Sequence, residues 1–186
     1  VMLAEEISLS EWDFVRKMNQ KAFELGMLNT SFRNSSGLHH EGQYTTNYDL
    51  ARLARALKND FPGYYHLFSL KEFAYSDKKY DSHNHVLVDY KGAEGMKTGY
   101  TSIAGFNLIS VARKNENRVM AVLTNCDSFQ ARDRFMKQLL DFGFDKIENK
   151  KSSDLTIKLQ DVFDYETNPQ KEVKDYKSEA RFEIMN

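Results

Sequence analysis

Three strand-length apolar runs follow one another between residues 94 and 124, and a helix-length amphipathic run comes directly after them. No other feature constrains the fold as much. Residues 94–98 form the first run. Residues 105–113 form the second, carried by Phe106, Leu108 and Ile109. The turn Lys114-Asn115-Glu116-Asn117 separates it from the third run, 118–124. Asp127 and Gln130 then stand at capping-box spacing, and Met136, Leu139 and Leu140 give the following segment an apolar stripe up to Gly143. Gly143 reads as the stop of a helix that runs to about Phe142. Consecutive strands followed by a helix predict an antiparallel meander with the helix laid over it. The fold class expected is therefore α+β, an antiparallel sheet flanked by helices.

Upstream, residues 1–25 read as helix in one or two pieces. Val1, Leu3, Ala4 and Ile7 supply a short apolar face. Ser10 with Asp13 opens a second segment whose Phe14, Met18, Ala22 and Leu25 recur at helical spacing before Gly26. Residues 27–45, rich in Asn, Ser and Gly, read as irregular loop. Thr46 with Asp49 starts another helix, with Leu50, Leu53, Ala54 and Leu57 inward, and Pro62-Gly63 ends that region. Strand pieces are expected at 72–75 and 86–88, joined by the charged turn Asp77-Lys78-Lys79. Beyond Asn149 the chain becomes charged. A weak alternation of Leu155, Ile157 and Leu159 predicts one strand within 154–165, and 166–186 reads as a mobile tail. The division expected is one domain over 1–148 and a charged tail over 149–186.

Bulk properties exclude several function classes. The chain has 186 residues, enough for one core, and a net charge of −1, which gives no footprint for nucleic acid. Its single Cys126 excludes an internal disulfide and a cysteine-based zinc site. No run of 18 apolar residues is present to span a membrane, and no secretory leader is legible. A start at Val1, inside a helix-like stretch, reads as a piece of a longer protein.

The chemistry concentrates in Gly95-Met96-Lys97-Thr98-Gly99-Tyr100-Thr101. Lys97 offers a cation, Thr98 and Thr101 hydroxyls, and Gly99 a stretch of strand without a side chain, against which a ligand can lie. Lys-Thr-Gly on a strand edge is an element of penicillin-interacting serine enzymes. Alone, the triplet also fits a turn with a solvated lysine.

The order of further segments carries a resemblance. Phe14-Val15-Arg16-Lys17-Met18-Asn19, Leu25 to Phe32, Ser36-Gly37-Leu38, Glu41 to Thr46 with Asp49-Leu50-Ala51, and Ser82-His83-Asn84-His85 precede the Gly95–Thr101 run. Ala104-Gly105-Phe106-Asn107-Leu108 and Phe129 with Arg132 follow it. Over roughly residues 1–145 this resembles the D-alanyl-D-alanine carboxypeptidases, the low-molecular-mass penicillin-binding proteins. The resemblance implies the later part of a β-lactamase/transpeptidase-like domain. It also implies serine acyl transfer without a cofactor: a serine attacks the bond between the last two D-alanines of a peptidoglycan stem peptide, the acyl-enzyme is hydrolysed, and β-lactams acylate the same serine. The place of action implied is the periplasm or cell envelope.

By the same resemblance Lys97 is the catalytic cation of this segment, a member of the proton-transfer network around the serine. Thr98, Gly99, Tyr100, Thr101, Arg132, His83 and Asn84 are substrate-side residues. The Tyr100 N–H is an oxyanion donor. Arg132 suits a two-oxygen contact with the substrate carboxylate. The strand edge pairs with an extended peptide.

The family pattern also has Ser-x-x-Lys and Ser-x-Asn, which lie before the stretch that resembles residues 1–10. The expectation is that this chain contains neither and is inactive alone. Ser76-Asp77-Lys78-Lys79 and Ser82-His83-Asn84 match the patterns as decoys. A nucleophile of this kind needs a helix N-terminus that sets the lysine one turn on, and Ser76 instead falls in a charged turn. His83 and His85 would share one face of a strand, but no third metal ligand stands at a recognisable spacing, so no metal is expected. His39 and His40 read as surface loop, Trp12 as core or cleft wall, and Cys126 as a small buried residue. Two other functions compete: a binding module for peptidoglycan or a partner without catalysis, and, ranked lower, a β-lactamase. The Glu41-Gly42-Gln43 loop shows no clear deacylating glutamate for the latter.

Overall fold

The computed structural model describes residues 1–148 and 180–185. In chain order the elements are α1 (Met2–Ile7), α2 (Glu11–Glu24), α3 (Asn47–Asp60), α4 (Pro62–Tyr65), a 3-10 turn (His66–Ser69), β1 (Glu72–Tyr75) and β2 (Lys78–Asp81). Then come α5 (His85–Asp89), β3 (Ala93–Thr101), β4 (Gly105–Lys114), β5 (Asn117–Cys126), α6 (Phe129–Glu148) and β6 (Ala180–Met185). The expected meander is present: β3, β4, β5 and β6 form an antiparallel sheet in that order, and β1–β2 form a separate hairpin. Lys114 pairs with Asn117 across a two-residue turn. Asn115 takes φ 56° there, a left-handed conformation that asparagine tolerates better than most residues.

Burial on both faces of the sheet explains why the third apolar run does not alternate. Along β5, Val119, Ala121 and Leu123 face one cluster with Leu108, Val86 and the α6 residues Met136, Leu139, Leu140 and Phe144. Met120 and Val122 face the other, with Val111 and the α3 residues Ala51 and Ala54. The sheet is therefore a middle layer between α3 on one side and α5 with α6 on the other. Each fully buried side chain of this kind contributes about 2 kcal/mol from area removed from water.

Several expectations need correction. Residues 86–88 are not a strand. Asn84 caps α5 by accepting from the Leu87 N–H at 3.3 Å, so Val86 and Leu87 reach the core from a helix. The partner of β1 is β2, which begins at Lys78, so the turn is Ser76-Asp77 rather than 77–79. Ser128, not Asp127, caps α6, its Oγ accepting from the Ala131 N–H at 3.1 Å. Trp12 is 66% exposed, with the Arg16 guanidinium 4.9 Å over its ring. Of the apolar face expected on α1, only Ala4 is buried. The strand expected within 154–165 lies outside the described residues. Residues 180–185, placed in the tail by the sequence reading, pair with β5 as β6.

Gly143 does not stop α6, which continues to Glu148. A Cβ at this position would lie 2.6 Å from a Val119 methyl, so glycine lets the helix approach β5. Alanine would add about 1 kcal/mol of helix propensity but force the packed contact apart, at about 1–3 kcal/mol. The clash wins: Gly143→Ala is expected to lower the unfolding midpoint, and a raised midpoint would contradict this packing.

Candidate active-site strand and its surroundings

β3 is an edge strand: among the described residues its one strand partner is β4. Its first half is covered. Ser69 Oγ donates to the Glu94 carbonyl at 2.8 Å, and Phe68 lies so close to Gly95 that a Cβ there would sit 2.8 Å from it. Gly95 also takes φ 135°, so both conformation and close approach demand glycine. Glu94 further anchors this end, its carboxylate receiving Arg118 Nε at 3.0 and 3.2 Å.

The second half carries the Lys-Thr-Gly triplet and is open. Lys97, Gly99 and Tyr100 are exposed, Thr98 and Thr101 half-buried. Lys97 stands opposite Ile109 and its Nζ donates to the Thr98 carbonyl at 2.6 Å. Around Gly99 there is room: the nearest atom to an added Cβ would be Asn107 Cβ at 3.9 Å. Packing therefore does not require glycine at 99, in contrast to Gly95. Thr101 Oγ1 accepts from the Ala104 N–H at 2.9 Å and closes the turn into β4.

The other expected substrate-side residues gather at the start of α5 and α6, at the sheet end where β3 finishes. Asn84 is buried. Its Oδ1 caps α5, and its Nδ2 has no hydrogen-bond partner among the described residues. His83 is exposed at its side chain, and its carbonyl accepts from Arg132 Nη2 at 3.4 Å. Arg132 lies inside: it is 4% exposed, and Asp133 Oδ1 receives its Nε at 2.8 Å and its Nη2 at 2.6 Å. The guanidinium assigned to a ligand carboxylate is thus already held by a neighbouring carboxylate. Asp133 Oδ2 in turn contacts His85 Nδ1 at 3.0 Å.

Aromatic rings link this group to β3. Tyr100 lies 4.3 Å from Phe106, Phe106 6.4 Å from Phe129, and Phe129 5.4 Å from the His85 ring, edge-on. Sequence reasoning missed both the His85–Asp133 contact and this ring series. The partners of that contact stand 48 residues apart, and nothing local pairs them.

The decoys are placed by their turns. Ser76 sits in the β1–β2 turn with φ 52°, away from any helix start. Ser82 Oγ accepts from the Asn84 N–H at 3.2 Å, a local turn entering α5. The helical start at His85 also removes the shared strand face of His83 and His85. Among the described residues no group of three His, Cys, Asp or Glu could hold a metal, and no helix is long and apolar enough to cross a membrane.

Cys126 is buried, and burial pushes its thiol up to about 11. Raised above its ordinary value, the thiol favours the folded state fully below about pH 9, and that contribution is lost as pH rises toward 11. A thiol-exchange reagent at pH 8 should therefore leave the native chain unmodified and react once it is unfolded. Rapid native labelling would contradict the burial.

A family model described as D-alanyl-D-alanine carboxypeptidase matches residues 1–128. The chain is 40% identical over 155 residues to the D-alanyl-D-alanine carboxypeptidase DacF of Bacillus subtilis, covering 80% of this chain and 39% of that protein. It is 37% identical over 144 residues to DacD of Escherichia coli, covering 77% and 37%. Among solved structures, penicillin binding protein 5 from Haemophilus influenzae superposes with a TM-score of 0.73 at 34% identity, over 77% of this chain and 42% of that one. The cefotaxime-bound penicillin-binding protein D2 from Listeria monocytogenes gives 0.63 at 31%, over 71% and 55%. The chain spans about two-fifths of the length of the curated relatives it matches. With a family model matched over residues 1–128 and relatives 40% and 37% identical over most of its length, the chain belongs to the D-alanyl-D-alanine carboxypeptidase family.

Proposed function

We propose that this chain forms the substrate-clamping wall of a serine-type D-Ala-D-Ala carboxypeptidase site. The observation that carries the reading is the open second half of β3. It offers an exposed cation at Lys97, a hydroxyl at Thr98 and a backbone edge that is unpaired among the described residues, and it holds a glycine at 99 that packing does not require. A peptidoglycan stem peptide ending in D-Ala-D-Ala is extended and carries a terminal carboxylate. Pairing with the strand edge would hold its backbone, and Lys97 with Thr98 would meet its charge.

Tyr100 N–H would face the oxygen that gains charge in the tetrahedral intermediate, where fixed donors lower the barrier most. Thr101 holds the turn that shapes this end of the strand. His83, exposed just before α5, would line the approach, and Asn84 behind it would turn its Nδ2, unpartnered among the described residues, toward the substrate. Arg132 would contribute a second cation toward the carboxylate once Asp133 releases part of its hold. The nucleophile and its lysine come from a Ser-x-x-Lys element on a helix, which the turn at Ser76 does not provide. β-Lactams, which mimic the dipeptide, would bind the same wall. The place of action is the cell envelope, where peptidoglycan is found.

A labelled penicillin tests this. Joined to a half that carries Ser-x-x-Lys and Ser-x-Asn, the chain should become covalently labelled, and the 186-residue chain alone should not. Labelling of the lone chain at Ser76 would sink the assignment, and so would an unlabelled joined protein. A non-catalytic peptidoglycan-binding protein would retain muropeptide binding without labelling. A β-lactamase would turn over the label within minutes. Gly99→Ala gives a local check. It should leave stability within about 0.5 kcal/mol, because the site has room, while slowing acylation by obstructing the strand edge. Unchanged acylation would remove Gly99 from the ligand surface.

A further inference from the structure

We infer that His85 is a positioning residue that sets, through Asp133, how firmly the Arg132 guanidinium is held, and so makes carboxylate recognition depend on the His85 proton. The inference rests on the proposed carboxypeptidase reading only for what Arg132 recognises; the three-residue arrangement is independent of it.

The geometry is specific. Asp133 is 7% exposed and splits its two oxygens, Oδ1 to Arg132 and Oδ2 to His85 Nδ1 at 3.0 Å. Arg132, 4% exposed, has its remaining described contact at the His83 carbonyl, a long 3.4 Å. A carboxylate that holds a buried guanidinium this way competes with any ligand carboxylate for the same donors. The His85 side chain is half exposed, so solvent can deliver its proton, while its ring rests edge-on to Phe129. Histidine is the side chain whose charge ordinarily changes near neutral pH.

Protonation places a second cation on Asp133. Its negative charge is then shared between two partners, the attraction on Arg132 falls, and the guanidinium becomes available to a substrate carboxylate. Deprotonation at Nε2 leaves the neutral ring's Nδ1–H on Asp133 Oδ2 but removes the second positive charge, so more of the carboxylate's attraction falls on Arg132. Lys71, Glu72 and Asp81 at the hairpin base and Asp89 on its own helix line the same surface depression as His85. Glu72 is paired with Lys79, and Asp89 with Lys137, each at 3.2 Å. Among the described residues Asp133 is the charged group in direct contact with the His85 ring, and so the partner through which the His85 charge reaches Arg132. Its effect reaches the strand by the same end of the sheet at which Phe129, Phe106 and Tyr100 stack.

Two measurements test this. On the 186-residue chain, the NMR resonance of Arg132 Nε–H is followed against pH beside the His85 ring. It should move with the His85 midpoint in the wild type and lose that dependence in His85→Gln. An Arg132 resonance indifferent to His85 protonation overturns the inference, whatever the protein's activity. On the chain joined to a Ser-x-x-Lys half, penicillin acylation rates are compared as variant-to-wild-type ratios, which cancels titrations elsewhere in the site. Wild type should exceed His85→Gln by about five- to tenfold at pH 5.5, the low end of typical couplings, and match it at pH 8. His85→Lys, a permanent cation, should keep the low-pH advantage across the range. A purely structural histidine predicts equal losses for both variants at every pH, and that pattern also overturns the inference. If the joined protein takes no label at any pH, the carboxypeptidase reading fails, and the resonance measurement alone decides the role of His85.

Discussion

Lys97→Ala will lower the rate of penicillin acylation by about 10²- to 10³-fold in the chain joined to its nucleophilic half, the range found when one fixed donor is taken from a site of developing charge. Lys97 is exposed on the open half of β3 and, among the described residues, the one hydrogen bond of its side chain is to the neighbouring Thr98 carbonyl. Its removal should therefore cost the fold little, within about 0.5 kcal/mol for a surface position. The two readouts must separate: a large kinetic loss with an unchanged unfolding midpoint. Lys97→Arg sharpens the result. The charge remains, but the planar guanidinium cannot act as a compact ammonium in a proton-transfer network. It should restore ligand binding more than acylation. Acylation unchanged in Lys97→Ala would mean that the strand edge is not the ligand wall.

Leu140→Ala will do the opposite, costing about 2–5 kcal/mol of stability, the usual span for removing a fully buried leucine. Leu140 is completely buried in the cluster that joins α6 to Val119, Ala121 and Leu123 on β5. The cost falls toward the upper end because neighbours cannot collapse into the space: Gly143, one turn on, already brings α6 against Val119. The phenolic group of Tyr90 also ties α5 to α6, donating to Asp141 Oδ1 at 2.6 Å. A denaturant midpoint close to wild type would show that α6 does not depend on this contact. The loss should also loosen Arg132 and Asp133, which stand two turns earlier on the same helix.

Local patterns made much of the fold legible. Ser10 with Asp13 and Thr46 with Asp49 cap their helices by side-chain to backbone bonds of 3.1 Å, as their spacing predicts. The strand runs of β3, β4 and β5 could be read because their turns are short and their apolar content is continuous. The segment after Asp81 could not. Val86-Leu87-Val88 is β-branched and apolar, and propensity favours a strand. Yet one capping asparagine and a core contact on a single helical turn outweigh it. Gly143 misled for a related reason. A glycine after an apolar stripe looks like a stop, and only the approach of β5 shows that it is a packing position.

The site divides along the same line. Lys97, Thr98, Gly99, Tyr100 and Thr101 are contiguous, so a seven-residue window holds their chemistry, and the structure adds that their strand edge is open. Arg132 could be named from the sequence, but its state could not. It is buried and held by Asp133, and Asp133 is shared with a histidine 48 residues away.

By itself the sequence determined the elements whose signals are local: capped helices, the meander, and the Lys-Thr-Gly strand with the family it belongs to. Tertiary structure alone decided which glycines serve packing and which leave room, and which edge of the sheet stays open. It also decided that the Arg132 cation is restrained by a carboxylate and an imidazole. The reason is physical. Capping bonds and strand periodicity act over a few residues and leave marks in the chain, whereas burial and charge pairing depend on which distant segments the fold brings together.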